Sequence, residues 1–247
     1  MLKASNINFK YPSSIFKLNN ISFDIKLGEY FGISGNNAAG KTTLLKFLVG
    51  IIPEFQKGDF SGEIKFKDKN ISDIPLNEKP EIFGLIFQNP DDQFFFTTLE
   101  DEIIFLLENM NIAESEAELK IQSVLEITGL EKFRYSNPNI LSYGQKKLAL
   151  LCINLVIEPK ILLLDEIFSS LDESTTQKIK RILMEHKNKN NIIINVDRNI
   201  NNLSDSDKIL ILDDGEIAFL GNTSDFFKSE QYFKSFNFNW SLNNVKN

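Results

Sequence analysis

Residues 35–43 read GNNAAGKTT, and Gly35, Gly40, Lys41 and Thr42 stand at the spacing G-x-x-x-x-G-K-[ST]. The chemistry such a run can do is anion recognition. Glycines let successive backbone N–H groups converge on one point, the start of a following helix adds partial positive charge, and a lysine adds a full one. Phosphate oxygens fit that arrangement, with Lys41 on the terminal phosphates and the Thr42 hydroxyl available to Mg²⁺. Asn36, Asn37, Ala38 and Ala39 make up the body of the loop and Thr43 carries it into the helix. A second stretch, KILLLDE (160–166), ends an apolar run on Asp165 and Glu166. A carboxylate at a buried strand's tip can serve as another Mg²⁺ ligand, and its neighbour can orient or deprotonate an attacking water.

Such groups must be positioned by a strand, a loop and a helix. EYFGIS (29–34) reads as the strand, and Leu44, Leu45, Leu48, Val49, Ile51 and Ile52 repeat afterwards with helical spacing. Ile7, Phe9 and Tyr11 alternate with polar residues, as do Ile21, Phe23 and Ile25 before Gly28, which predicts half-buried antiparallel strands. From about Asp91 to Ile157 the pattern is helical: EDEIIFLLENM and AELKIQSVLEITGL carry apolar residues three and four apart, the second ending at Gly129. A helix over 173–187 and the strand NIIINV (191–196) resume the parallel pattern, and the DDG in KILILDDGEIAFLG predicts a hairpin. His186 is expected at the surface near the end of that helix.

Composition narrows the partners. The 247 residues are 42% hydrophobic, enough for a sizeable core, and the formal net charge of −7 gives no footprint for wrapping a polyanion, so nucleic acid is not expected. The single cysteine, Cys152, cannot form an internal disulfide and is expected to serve packing. MLKASNINFKYP lacks a continuous apolar stretch of the secretory kind, and LALLCINLVI (148–157) is far too short to span a bilayer. A soluble protein that docks on a membrane protein is the expectation.

LSYGQKK (141–147) places Ser142 three residues before Gln145, a capping box that would open a helix bearing Leu148, Leu151 and Leu155. LSYGQ also closely resembles the LSGGQ signature of ATP-binding cassette proteins, and it lies shortly before LLLDE, as in that family. The resemblance covers nearly the whole chain. It identifies Tyr11, 24 residues ahead of Gly35, as an adenine-stacking aromatic, Gln88 in IFQNPDDQFF as a catalytic and Mg²⁺-binding glutamine, and SSLD (169–172) as the loop following the carboxylates. The implied fold is an α/β phosphate-loop core with an N-terminal antiparallel β subdomain and an inserted helical subdomain carrying the signature. One ATP-binding domain fills the chain: residues 1–88 and 158–222 as core and β subdomain, 89–157 as helical subdomain, 223–247 as C-terminal extension. The implied ligands are ATP and Mg²⁺. The implied partners are a second ATPase cassette, whose ATP would meet Ser142, Gly144 and Gln145, and an integral membrane transporter on whose cytoplasmic side the chain sits.

FQNPDDQFF, TTLEDEIIFLLENMNI and GIIPEFQKGDFSGEI look most like ATPase subunits of energy-coupling factor importers, which take up vitamins or transition-metal ions. In that family the strand after SSLD ends in a histidine that contacts the γ-phosphate and holds the attacking water. Counting 18 residues back from Gly215 reaches Asp197, and a loop one residue different reaches Val196. Neither can donate as histidine does, and an ionised Asp197 facing phosphate would cost ~1–4 kcal/mol, so it should point away or bind a cation. Arg198 beside it can donate, although arginine often follows the histidine in this subfamily in any case. Slower turnover at the chain's own site, in an unequal ATPase pair, is one expectation; a cassette that binds ATP and scarcely hydrolyses it is a second, and a soluble cassette with no transport role a third. Ala38, Tyr143 and Ile167 also depart from the family's usual residues, Ala38 being the most awkward because its Cβ occupies a position that glycine adopts freely. The aromatic tail (Phe226, Phe227, Tyr232, Phe233, Phe236, Phe238, Trp240) is expected to pack as helix on the core.

Overall fold

The computed structural model describes residues 1–12, 15 and 17–229. β1 (Leu2–Lys10) and β2 (Lys17–Ile25) pair antiparallel from Leu2 opposite Ile25 to Lys10 opposite Lys17. Leu2, Ala4, Ile7, Phe9, Leu18, Ile21, Phe23 and Ile25 are buried while most residues between them are exposed, as their alternation predicts. β3 (Tyr30–Gly35) leads through the phosphate loop into α1 (Lys41–Leu48), followed by α2 (Ile51–Glu54). β4 (Asp59–Phe66) and β5 (Lys69–Asn70) complete a four-stranded sheet in the order β2-β1-β4-β5.

After α3 (Lys79–Ile82), the short strand β6 (Phe83–Ile86) enters a second sheet. Three helices then intervene: α4 (Leu99–Asn109), α5 (Glu114–Thr128) and α6 (Tyr143–Leu155). β7 (Ile161–Asp165), α7 (Glu173–Asn188), β8 (Ile192–Val196), β9 (Lys208–Asp213), β10 (Glu216–Asn222) and α8 (Thr223–Lys228) complete the described chain. The second sheet runs β10-β9-β3-β8-β7-β6, parallel except for the β9–β10 hairpin.

Why β7 and β8 are apolar at nearly every position follows from what covers them. Ile161, Leu163, Ile192 and Ile194 belong to a core shared with the first sheet and α1, whereas Leu162, Leu164 and Ile193 belong to a core shared with α4–α7. A sheet covered on both faces needs apolar residues of both parities, each contributing roughly 1.5–3 kcal/mol on burial. The strands' C-terminal tips therefore emerge together at one edge: Ile33 lies opposite Val196, and Val196 opposite Asp165.

Two elements match their turn chemistry closely. α5 ends on Gly129 at φ 62°, and Asp214 and Gly215, both at positive φ, close the β9–β10 hairpin. His186 corrects the expectation of a surface residue: it is only 4% exposed. It continues the inward stripe Ile179, Ile182, Leu183 of α7, so helical spacing carries it under the protein rather than out of it. Cys152 is buried in α6 as expected. Phe226 packs edge-on against Phe219 at 5.0 Å, while the tail residues Tyr232, Phe233, Phe236, Phe238 and Trp240 lie outside the described residues.

Candidate active site

The loop between β3 and α1 is shaped by its glycines. Gly35 has φ 150°, and a Cβ there would stand 2.1 Å from the Leu212 carbonyl oxygen of neighbouring β9, so no larger residue fits. Gly40, at φ 101°, turns the chain into α1, whose first N–H groups receive no side-chain cap and stay available to an anion. Ala38 holds φ 63° without being glycine, the strain its sequence position foretold. Lys41 bends back over the loop, its Nζ donating to the carbonyls of Gly35 and Asn36 at 2.8 Å each. Burial lowers its pKa from the usual lysine value, with Glu166 and Asp165 acting in the opposite sense.

Across the cleft, Asp165 at the tip of β7 accepts from the Thr42 hydroxyl at 3.3 Å. Burial, then the charge of Glu166, raises the Asp165 pKa. Two hard oxygen donors this close, one of them a carboxylate destabilised by a second carboxylate, fit a Mg²⁺ ion well. No group of three or more His, Cys, Asp or Glu side chains suited to a metal occurs among the described residues. An ion here would therefore complete its shell from phosphate oxygens and water, as Mg²⁺ ordinarily does.

Glu166 is buried in a left-handed backbone conformation, φ 50°, its N–H bonded to the Val196 carbonyl at 2.8 Å. Strain of that kind collects at functional positions. Its carboxylate accepts from Gln88 Nε2 at 2.8 Å and from Arg198 Nε at 2.7 Å. The Gln88 backbone carbonyl accepts from Lys147 Nζ at 2.6 Å and from the Tyr143 hydroxyl at 3.3 Å. Lys147 is fully buried on α6, and burial pushes its pKa down to about 8. Sequence reading missed Lys147; the available signal was a lysine among Leu148, Leu150 and Leu151 in a helix apolar all round.

The cleft of about 460 Å³ is lined by Tyr11, residues 37–43, Gln88, Asp165, Glu166 and Arg198. Tyr11 stands at its rim with its hydroxyl 3.4 Å from Thr43 Oγ1, edge-on to Phe9. Gly35 and Asn36 contribute their carbonyls to Lys41 rather than lining it. Ser142, Gly144 and Gln145 are not brought to this cleft. Ser142 and Gln145 form the capping box of α6, and Gly144 lies against Thr175 and Leu171. Asp197, just past β8, is buried with its carboxylate accepting from the Asn199 N–H and Asn202 Nδ2, 2.8 Å each, and it lines a neighbouring cavity with Gly35, Asn36 and Asn37. Burial raises its pKa to about 6.

A phosphate loop facing a strand-tip carboxylate pair on a parallel sheet defines a nucleoside-triphosphatase of the α/β class. The chain belongs to the ABC transporter family, whose model matches residues 18–169, and its fold is the ATP-binding cassette. Among its relatives, the energy-coupling factor transporter ATP-binding protein EcfA1 of Mycoplasmopsis synoviae is 32% identical over 235 residues, covering 94% of this chain and 86% of that protein. The EcfA1 protein of Oenococcus oeni is 34% identical over 220 residues, covering 88% and 78%. In structure the chain is similar to cbiO1 of Clostridium perfringens, part of an ABC transporter complex cbiONQ, with TM-score 0.81 and 30% identity over 96% of this chain and 94% of that one. A dimeric ATP-binding cassette in a post-hydrolysis state with ADP and Pi is similar at TM-score 0.76 and 25% identity, over 90% of this chain and 99% of that one.

Proposed function

We propose that this chain is the ATP-hydrolysing subunit of an energy-coupling-factor-type importer for vitamins or transition-metal ions. The observation that carries the reading is the convergence of Lys41, the Thr42–Asp165 pair and the Gln88–Glu166 pair on one cleft. Lys41 and the α1 terminus hold the triphosphate, and Tyr11 stacks on the base. Thr42 and Asp165, with Gln88, hold Mg²⁺, which supplies charge neutralisation at the phosphates. Glu166 takes a proton from the attacking water while Gln88 steadies it. Residues 1–88 and 158–222 serve as core and β subdomain, 89–157 as helical subdomain, and 223–247 as C-terminal extension.

A second cassette supplies its signature helix to this cleft, and Ser142, Gly144 and Gln145 serve the partner's ATP, with α6's N-terminus aiding the charge. That these three residues lie away from their own chain's loop supports the assignment. A membrane component docks near Gln88 and the helical subdomain, which places the chain on the inner face of the cell membrane. Among the described residues no helix is long and apolar enough to cross a membrane.

Turnover at this site is the slower of an unequal pair, because the tip of β8 carries Val196 and an Asp197 whose carboxylate is engaged by Asn199 and Asn202, where an imidazole would hold the water. Losing such assistance costs on the order of 10²–10⁴ in rate. Phosphate release by the purified chain, alone and with candidate partner cassettes, tests this. Slow release alone, rising with a partner and abolished by Glu166→Gln, is expected; fast release by the chain alone overturns the unequal pair.

A further inference from the structure

Arg198 is the one arginine lining the phosphate-loop cleft among the described residues. Its Nε lies 2.7 Å from Glu166 Oε1 and its Nη2 3.3 Å from Oε2, where Gln88 Nε2 also donates at 2.8 Å. Three donors thus fill most of the roughly four acceptor positions of a carboxylate. A carboxylate so engaged is poorly placed to take a proton from water. The two partners differ in freedom: the Glu166 side chain is 8% exposed on a strained backbone, while that of Arg198 is 54% exposed. If the pair opens, the arginine is the partner that moves.

A guanidinium in this cleft has a stronger alternative. The guanidinium end of this pair is open to water, and a terminal phosphate offers it more charge and two oxygens in the geometry a guanidinium fork fits. Arg198 lines the same cleft as Tyr11, the loop and Lys41, the groups that would hold that phosphate. We propose that Arg198 is a catalytic residue that senses the γ-phosphate: without nucleotide it clamps Glu166, and on ATP binding it passes to the γ-phosphate and leaves Glu166 open to water. The proposal rests on the ATP-hydrolysis reading. In the step, the water oxygen bonds to the γ-phosphorus as the bond to the bridging oxygen breaks. The electron pair leaves with ADP, the water's proton goes to Glu166, and the Arg198 N–H groups meet the charge on the phosphoryl oxygens. ADP, one phosphate shorter, leaves the clamp closed.

The test compares ATP and ADP affinities of the full-length chain with Mg²⁺, for the wild type, Arg198→Ala, Arg198→Lys and Arg198→His. Arg198→Ala should lose about tenfold or more in ATP affinity, the size expected of charge-assisted hydrogen bonds, with ADP affinity unchanged. Arg198→Lys should keep part of the preference for ATP. Arg198→His should keep it at acid pH and lose it as the pH rises through the histidine range, a limb the wild type lacks because a guanidinium stays charged. An unchanged ATP-to-ADP ratio in Arg198→Ala, with ordinary binding of both nucleotides, overturns the role of Arg198 and leaves the cleft reading intact. A wild-type chain that binds neither nucleotide overturns both.

Discussion

Lys41 is held against two carbonyls of its own loop, and burial disfavours its charge. That is a folding cost which a bound phosphate offsets. Lys41→Met should therefore melt no lower than wild type without ligand, yet lose most of the stabilisation by Mg²⁺–ATP, which for a wild-type site at one hundred times Kd is about 2.7 kcal/mol. Thermal melts with and without nucleotide measure both halves, and a variant that melts lower but keeps its ATP shift contradicts the assignment. Ala38, at φ 63°, makes a second prediction of opposite sign to the usual glycine penalty. Ala38→Gly relieves a left-handed Cβ worth ~1–2 kcal/mol and gives back ~0.4–1 kcal/mol in unfolded-chain entropy, so chemical denaturation should find it more stable by about 0.5–1 kcal/mol. These residues were legible in sequence because their spacing alone fixes their geometry. Glu166, Asp165 and Gln88 were legible once the loop was recognised. The clamp by Arg198 was not, since its partner stands 32 residues away and only the register of β7 against β8 brings them together.

At the scale of elements, α6 joins the Gln88 segment to the signature end of the same helix. Its N-terminus is fixed by the Ser142–Gln145 capping box, which the sequence announced, and one turn later Lys147 reaches the carbonyls of Phe87 and Gln88. The apolar runs of β3, β7 and β8 could be read because burial on both faces leaves few polar interruptions, Ser34 and Asn195 among them. β4, β5 and β6 could not, for residues 59–86 mix exposed and buried positions in strands as short as two and four residues. Lys147 itself is costly: with its pKa near 8, folding disfavours the ammonium, and stability contributed by the neutral amine is lost as pH falls from about 10.5 toward 8. Lys147→Met should thus be no less stable at pH 7. Wild type should gain about 1 kcal/mol on it between pH 7 and pH 9. The Gln88 segment should meanwhile loosen, seen as faster amide exchange at 87–89 and a fall in kcat larger than any rise in KM. Unchanged exchange there would remove α6 as the support of Gln88.

Over the whole molecule, two buried groups, His186 on α7 and Asp197 just past β8, set how stability answers to acid. His186 is buried neutral with its pKa pushed down to about 4, by desolvation first and by Lys189 next, against the pull of Glu158. Its contribution is complete above the free-histidine value of 6.5 and is lost as pH falls from there through 4. Asp197 works the other way. Its pKa is raised to about 6 by burial, despite the donors Asn202 and Asn199, so the stability it contributes is complete below 3.8 and is lost as pH rises through 6. Going from pH 7 to pH 5, His186 removes about 2 kcal/mol while Asp197 returns about 1 kcal/mol, so wild type shows a net loss of only about 1 kcal/mol. His186→Leu should remove the acid-side loss whatever it does to stability at pH 7. Urea titrations at the two pH values should show wild type losing about 2 kcal/mol more than the variant. Asp197→Asn should steepen the acid loss by about 1 kcal/mol instead. Because His186 sits beneath α7 and Asp197 beyond the tip of β8, with separate partners, the double variant should show the sum of the two changes. Equal pH slopes in wild type and His186→Leu would mean that the histidine titrates alike in the folded and unfolded chain, and that burial in α7 does not hold it neutral.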